Sequence, residues 1–575
     1  MAYRESYEKW LNSPSLSGTE KEELLSVSQN DKEIESRFFG PLEFGTAGLR
    51  GTMGIGLNRM NPYVIRHATQ AFADVILAEG PARTEKGIGI CFDCRNHSEE
   101  YAHEAARVMA ANNIPVRLFE ALRPTPELSF AIRHYSLIAG INITASHNPK
   151  EYNGYKVYWE DGAQLPPHHA DAIAERMTQL DVFDGVKTMD YNEAIHSGLI
   201  TFMGKETDEA FLSQVMAQVN DTAVVAKVAD SFKMVYTPFH GTGYQLVPKV
   251  LENLGIKHLY CVPEQMVIDG NFPTVVSPNP ENPEGFALAV ELAKRVGADF
   301  ILGTDPDADR VGIMVRDSSG AYVTISGNQT GVLLLDYLIG AKRRAGTLPP
   351  NAAALKTIVT TEMARKVSEV NGVKCFDTFT GFKFMAEKKN ALEETGEGKV
   401  IFSYEESYGY MVGDYVRDKD AVTASLLLTE MAAWYASQGM TLFEALSALY
   451  RKYGFYGERT LNLVMPGLDG LAKMKALMAG LRAQPPALID GVKVETRRDY
   501  QSGILTETDT GKVSEMELSG SNVLKYHMAD GTDLIVRPSG TEPKVKVYIL
   551  AAGRDRTECD RKVATYTAWA DTLKK

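Results

Sequence analysis

The chain has 575 residues, 44% of them hydrophobic and 23% charged, a make-up that excludes disordered, fibrous and membrane-embedded classes and is too long for one core, implying roughly three to five domains. A formal net charge of −13 speaks against a general nucleic-acid or anionic-membrane partner, but not against a phosphate held by local arginines and lysines. Five cysteines make no disulfide framework, the charged start lacks the apolar stretch of a secretory signal, and no run approaches the ~18 apolar residues of a membrane span, so a reducing, cytoplasmic setting is expected.

Along the chain, strand and helix alternate, which predicts layered α/β domains. Residues 63–78 read as helix, 86–92 as strand, 98–112 as helix and 115–119 as strand. Cys91 and Cys94 have redox-motif spacing, yet no second pair completes a zinc site, so they are expected to be two small strand residues. Residues 141–143 run as strand into Thr144-Ala145-Ser146-His147-Asn148-Pro149, and a turn is predicted at Asn153-Gly154 before a strand over 155–158. A similar rhythm returns over 233–254. There Gly241-Thr242-Gly243 opens a helix, but Leu246 replaces the third glycine of a dinucleotide fingerprint, which predicts a loop at substrate or at a domain seam. The rhythm recurs over 356–376, a helix is predicted over 467–481, and Leu348-Pro349-Pro350 reads as a surface loop. Composition places seams near Gly204, near 320–327 and near 452–457.

Four polar loops, each following an apolar β-rich run, carry the chemistry. In Gly303-Thr304-Asp305-Pro306-Asp307-Ala308-Asp309-Arg310, three carboxylates at alternate positions can converge on one hard cation. An EF-hand would need glycine at Arg310 and glutamate at Arg316, so magnesium is favoured over structural calcium. The 144–149 loop exposes Ser146 beside His147, with Lys156 returning on the next strand. Gly-x-Ser-x-Gly is absent there, and adjacent Ser146 and His147 do not readily form an acyl-transfer dyad. Tyr404-Glu405-Glu406-Ser407-Tyr408-Gly409 offers carboxylates and a hydroxyl suited to sugar hydroxyls. Arg537-Pro538-Ser539-Gly540-Thr541 with Lys544 forms a phosphate nest without a Walker lysine. Metal clamp, exposed serine, polyol reader and phosphate nest together predict phosphoryl transfer on a sugar phosphate, a small-molecule partner.

These loops, in this order, resemble the four signature loops of the α-D-phosphohexomutases. Gly45-Thr46-Ala47-Gly48-Leu49-Arg50-Gly51 and Asp93-Cys94-Arg95-Asn96-His97-Ser98 resemble two further family segments. The resemblance implies an α/β protein of four domains around a central cleft, the first three of related mixed-sheet topology and the fourth a smaller α+β domain. The seams then give domains at 1–204, 205–325, 326–453 and 454–575. It also implies that Ser146 carries a phosphoryl group and that Asp305, Asp307 and Asp309 hold Mg2+ against it. Arg50, Lys156 and Arg310 would stabilise charge at the reacting end, and His147 and Lys383 would serve as acid and base. Glu405 and Ser407 would read ring hydroxyls, while Arg537, Ser539, Gly540 and Thr541 hold the non-reacting phosphate. Tyr404 and Tyr408-Gly409-Tyr410 around the sugar loop resemble the long-chain phosphoglucomutase branch. Glucose 1-phosphate and glucose 6-phosphate, with glucose 1,6-bisphosphate as intermediate and activator, are the expected ligands. Mannose phosphates, pentose phosphates and bisphosphate synthesis are the alternatives on the same scaffold.

Two other classes share part of the pattern. A strand running into Asp-x-Asp also marks haloacid-dehalogenase-like phosphatases, where Asp305 would be the nucleophile and Asp307 the acid/base, leaving Ser146 idle. A non-catalytic sugar-phosphate binder would need neither the metal clamp nor the exposed serine.

Overall fold

A computed structural model describes residues 2–45, 48–465, 470–539 and 544–574. The chain forms two compact units: Met1–Thr330 with Ile401–Ser403 and Ser407–Thr441, and Gly331–Val400 with Tyr404–Glu406 and Leu442–Lys575.

The first unit holds two mixed sheets. In the first, β1 (Leu49–Thr52), β2 (Ile88–Phe92), β3 (Val116–Phe119), β4 (Ala139–Ile143), β5 (Tyr152–Trp159) and β6 (Ile200–Met203) lie in the order β1-β5-β4-β2-β3-β6. The four strands from β4 to β6 are parallel, and β5 and β1 are added antiparallel. β2 and β4 are buried at every position because helices cover both faces of a parallel sheet. Ile88, Ile90 and Ile141 pack with Phe72 and Ala106 on one side, while Cys91 packs with Leu128 and Ile132 on the other. Cys91 is thus a strand residue as expected, whereas Cys94 lies in the turn beyond β2. Burial pushes both thiols well up, which leaves them inert.

The second sheet runs β11-β10-β9-β7-β8, with β7 (Lys233–Thr237), β8 (His258–Cys261), β9 (Phe300–Thr304), β10 (Val311–Arg316) and β11 (Tyr322–Ile325). β7 is parallel to β8 and β9, and β10 returns antiparallel beside β9, pairing Val311 with Thr304. The aspartate loop is therefore the connection of a hairpin. Helix Ala421–Ser437, apolar on nearly all sides and buried along its length, completes this unit, its first turn capped by Asp420.

The predicted turn at Asn153-Gly154 is overturned, since both residues lie inside β5. Gly154 faces Arg50 across the ladder, and a Cβ there would sit 2.5 Å from the Thr144 carbonyl oxygen, so glycine serves close approach rather than a bend. Asn153 is buried, its amide donating to the Asn96 carbonyl and the Ser98 hydroxyl.

In the second unit, Ala352–Thr357 and Lys374–Thr378 pair in parallel. Strand Lys399–Tyr404, of which Ile401–Ser403 count with the first unit, leads into the sugar loop. The C-terminal part is an antiparallel sheet built on Phe455–Val464, Lys544–Gly553, Asp533–Pro538, Leu524–Met528 and Val492–Asp499. Helices Gly470–Ala483 and Arg556–Thr572 pack Met474, Met478 and Tyr566 against its Tyr526, Val536 and Val547. The helix predicted from 467 is described only from Gly470. The sequence expectation of an α/β protein with a differing, smaller last domain holds. No described helix is long and apolar enough to cross a membrane.

Candidate active site

β4 delivers the serine loop at its C-terminal end, and Ser146 takes a left-handed backbone, φ 51°. Its hydroxyl donates to Asp305 Oδ2 at 2.8 Å and lies 3.2 Å from His147 Nδ1. Neighbouring side chains on extended backbone point apart; the positive φ at Ser146 permits this contact. Burial, reinforced by the cationic Arg310 and Arg50, holds the His147 imidazole well below its ordinary value, so these surroundings disfavour its protonated form.

Asp305, Asp307 and Asp309 are buried, with ligand oxygens within 4.8 Å of one another. Asp305 Oδ1 accepts the Asp309 and Arg310 N–H groups at 3.1 and 2.9 Å. Asp307 Oδ2 accepts from Lys156 Nζ at 2.7 Å and from the Thr125 hydroxyl at 2.8 Å. Asp309 Oδ2 faces Lys156 at 3.3 Å and Lys419 at 3.1 Å. Burial and the two neighbouring carboxylates push Asp305 well up. Burial alone would raise Asp307 as well, but the Lys156 ammonium outweighs it and holds that carboxyl low.

The triad fits a divalent cation on its own geometry. Asp307 Oδ1 and Asp309 Oδ1 are buried and accept no hydrogen bond, a costly arrangement that a hard cation would satisfy. The convergent all-oxygen set with the Ser146 hydroxyl beside it suits magnesium rather than zinc.

Other expected residues surround this centre. Arg50 donates to Asn148 Oδ1 at 3.0 Å, and Arg310 Nε lies 3.9 Å from Asp309 Oδ1. The latter half of the sugar loop is stitched to the metal loop, the Val311 N–H donating to the Tyr408 carbonyl and Arg310 bridging to Gly409. Ser407 belongs to this first unit. Gly241-Thr242-Gly243 lies against the metal loop. It braces the metal loop from behind, the Thr242 N–H donating to the Pro306 carbonyl while a Cβ on Gly241 would sit 2.4 Å from Pro306 Cα.

Glu405, Lys383 and Arg537 lie in the second unit. Glu405 Oε1 accepts the Gly381 N–H at 2.6 Å, which ties it to the start of the helix carrying Lys383. Burial lowers the Lys383 ammonium, whose nitrogen lies 4.7 Å from the Phe384 ring centroid. Glu406 accepts from Thr357 and Thr360 at 3.3 and 3.2 Å. Arg537 pairs across the sheet with Lys546, and the Ser539 N–H donates to the Lys544 carbonyl at 2.8 Å. Gly540 and Thr541 lie outside the described residues, as do Thr46 and Ala47 of the glycine-rich opening.

Sequence reasoning missed Thr125 and Lys419, and placed Arg95 in a family-like segment without giving it a role. The Thr125 hydroxyl accepts from the Asn142 amide at 2.8 Å and donates a hydrogen bond to Asp307 Oδ2 at 2.8 Å. Lys419 and its neighbour Asp418, which accepts from the Tyr158 hydroxyl at 2.9 Å, lie in an Arg-Asp-Lys-Asp run that reads as surface charge. Only their burial reveals them.

Four segments match the domains of one family in order: phosphoglucomutase/phosphomannomutase α/β/α domain I at 41–182, domain II at 209–320, domain III at 326–453 and the C-terminal domain at 474–559. The chain belongs to the phosphoglucomutase/phosphomannomutase family. It is 35% identical over 529 residues to the phosphoglucomutase of Staphylococcus epidermidis, covering 91% of this chain and 93% of that one. The phosphoglucomutase of Staphylococcus aureus is 35% identical over 535 residues, covering 93% and 94%. Among solved structures, the open form of parafusin, a phosphoglucomutase from Paramecium, superposes with a TM-score of 0.68 at 21% identity over 93% of this chain and 94% of its own. A phosphoglucomutase/phosphomannomutase family protein from Burkholderia thailandensis gives 0.64 at 18% identity over 93% and 97%. These two support the fold. The family member described here is an enzyme, a phosphohexomutase of the phosphoglucomutase type.

Proposed function

We propose that the protein interconverts glucose 1-phosphate and glucose 6-phosphate through a phosphoserine at Ser146 and a glucose 1,6-bisphosphate intermediate, using Mg2+. The observation that carries this reading is the Ser146 hydroxyl 2.8 Å from Asp305 inside a buried aspartate triad. The staphylococcal relatives, named phosphoglucomutases, favour glucose over mannose or pentose phosphates. Asp305, Asp307 and Asp309 would hold the ion, which when bound neutralises charge on the serine phosphate.

In the first transfer the bond from Ser146 Oγ to phosphorus breaks as a bond forms to a free sugar hydroxyl, whose proton leaves to a base. Lys383, its ammonium weakened by burial, is suited to that task. In the second, the bisphosphate's other phosphoryl group bonds to Ser146 Oγ and the released sugar oxygen takes up a proton. His147 Nδ1, 3.2 Å from Oγ, is placed to take the Oγ proton as phosphorus bonds there and to return that proton when the Oγ–phosphorus bond breaks. Arg50, Lys156 and Arg310 add positive charge around the reacting group. Arg537 with Ser539, Gly540 and Thr541 would hold the idle phosphate, while Glu405 and Ser407 read the ring hydroxyls, for each of two sugar orientations. The four domains at 1–204, 205–325, 326–453 and 454–575 each supply one of the four loops. A phosphatase acting through Asp305 is disfavoured because one oxygen of that carboxylate takes two backbone N–H groups and the other the Ser146 hydroxyl.

The test incubates purified protein with magnesium and glucose 1,6-bisphosphate, maps phosphopeptides, and measures glucose 6-phosphate formed from glucose 1-phosphate. Phosphate on Ser146, turnover lost in Ser146→Ala and sugar-phosphate binding kept there are expected. Acyl phosphate on Asp305, full turnover by Ser146→Ala, or faster turnover of mannose or pentose phosphates would overturn the assignment.

A further inference from the structure

We infer that Arg95 is a positioning residue for phosphoryl transfer, holding the 144–149 loop in the left-handed turn that aims the Ser146 hydroxyl at the aspartate triad. The inference rests on the reading that Ser146 carries the phosphoryl group.

The Arg95 side chain is completely buried; its Nε forms a 3.5 Å ion pair with Asp93 Oδ2, while both terminal nitrogens are spent on backbone carbonyls. Nη1 donates to the Pro149 and Tyr152 carbonyls at 2.9 and 3.0 Å, and Nη2 to the Ser146 and Asn148 carbonyls, each at 2.5 Å. The nearest anion, Asp93 Oδ2, is 3.5 Å from Nε, and the guanidinium carbon lies 5.2 Å from the centre of the Phe272 ring. One 3.5 Å ion pair to a carboxylate that is itself buried offsets little of the cost of burying a guanidinium, so stability is a poor account of this residue. A planar fork is a good way to gather four carbonyls of one loop at fixed angles.

Asp93 completes the grip from the other side. Its Oδ1 accepts the Arg95 N–H and the Ser98 hydroxyl, and its Oδ2 accepts the Thr144 hydroxyl at 2.6 Å. The Thr144 oxygen in turn accepts the Ser146 N–H at 2.9 Å. Both peptide groups flanking Ser146 are thereby pinned, the preceding one through Thr144 and the following one through Arg95. That fixes a left-handed conformation which a residue bearing a side chain otherwise avoids. Because the 146–147 peptide is trans, turning its carbonyl to Arg95 turns the His147 N–H to the opposite side of the loop. None of the four bonds involves the Ser146 hydroxyl, so Arg95 acts on the serine only through the backbone.

Misplacing a reacting atom by about 1 Å can cost about 100-fold in rate, so Arg95→Ala is expected to lower kcat by roughly that factor with KM for glucose 1-phosphate within about threefold of wild type. Transfer of labelled phosphate from glucose 1,6-bisphosphate to Ser146, followed by rapid quench, should slow in parallel. Added guanidinium ion should restore part of the Arg95→Ala rate. Arg95→Lys should stay impaired with or without it, because one ammonium cannot span four carbonyls and still fills the space. A kcat within threefold of wild type, a loss residing in KM, or labelling at the wild-type rate would overturn the inference. Should Arg95→Ala fail to fold, Thr144→Val decides, since it severs the other pin: the same kcat-only loss supports the grip and a normal kcat refutes it. Wild-type protein that takes no phosphate on Ser146 would remove the serine assignment and this inference together, an outcome distinct from normal labelling in the variants.

Discussion

Lys156 and a divalent cation act on the same carboxylates, so replacing Lys156 with methionine should make stability depend on magnesium far more steeply than in the wild type. Lys156 is 4% exposed, and its ammonium lies 2.7 Å from Asp307 and 3.3 Å from Asp309. At an effective dielectric of about 20, such contacts correspond to gross attractions of about 6 and about 5 kcal/mol, from which burying the ammonium subtracts several. Lys419, 3.1 Å from Asp309, still compensates that carboxylate in the variant, which leaves Asp307 as the stranded charge. Stripping one partner from a buried pair costs about 3–5 kcal/mol, and that is the loss expected in chelator. Saturating magnesium supplies charge to the same oxygens, so the loss should shrink by about 2–3 kcal/mol. By linkage the ion then binds the variant about 30- to 150-fold more tightly. Calorimetric unfolding with and without magnesium, following the transition that chelator displaces, reads the first quantity, and titration calorimetry with magnesium reads the second. An equal loss in both conditions, with unchanged magnesium affinity, would refute the argument that lysine and metal share these carboxylates.

Arg537→Ala should weaken every sugar phosphate by a similar factor, about 10- to 150-fold for a lost charge-assisted phosphate contact, whereas Glu405→Ala should reorder glucose, mannose and pentose phosphates; kcat/KM for several sugar 1-phosphates at fixed magnesium separates the two outcomes. The hydrogen bond to Asp533 raises the His527 imidazole above its ordinary value, so its stabilisation is complete below about pH 6.5 and disappears as pH rises through the folded value. With that imidazole 39% exposed the contribution is below about 1 kcal/mol, and His527→Gln should destabilise at pH 6 but hardly at pH 9 in paired denaturant titrations. Gly154→Ala places a Cβ 2.5 Å from the Thr144 carbonyl oxygen and 3.0 Å from that of Leu49; the strain of about 1–3 kcal/mol should show in unfolding, and kcat should fall because Thr144 begins the serine loop.

The chemistry-bearing loops are legible in the sequence because each concentrates several polar groups within a few residues after an apolar run. The residues that hold those loops are not, and the reasons are specific. Arg95 lies in a segment that resembles the family, but its partners are backbone carbonyls, which have no residue identity, so the segment does not show what the side chain holds. Thr125 sits at the start of a helix whose other residues read as packing, and its role depends on Asp307, 182 positions away. Asn153-Gly154 carries the strongest short-range turn signal, yet here the amide is spent on Asn96 and Ser98 and the glycine on close approach. Local propensity gave way to a tertiary constraint that the sequence encodes only through residues about 50 to 100 positions distant.

The hinted internal repetition resolves into one device used twice. In the first sheet the parallel strand β4 ends in the serine loop and β5 returns antiparallel beside it, bearing Lys156 opposite Asn142. In the second sheet the parallel strand β9 ends in the aspartate loop and β10 returns antiparallel beside it, with Arg310 at its entrance and Val311 opposite Thr304. Each sheet sets its polar loop at the carboxyl end of a parallel strand, where open α/β sheets place ligands, and then fixes a cation to that loop by ladder register. A slip of one residue would turn Lys156 to the other face of the sheet and away from Asp307, so the register of β4 on β5 is itself part of the site. The Ser146–Asp305 hydrogen bond joins the two hairpins end to end, which brings Ser146 and the acidic triad together from parts of the chain about 160 residues apart, each with its own cation beside it.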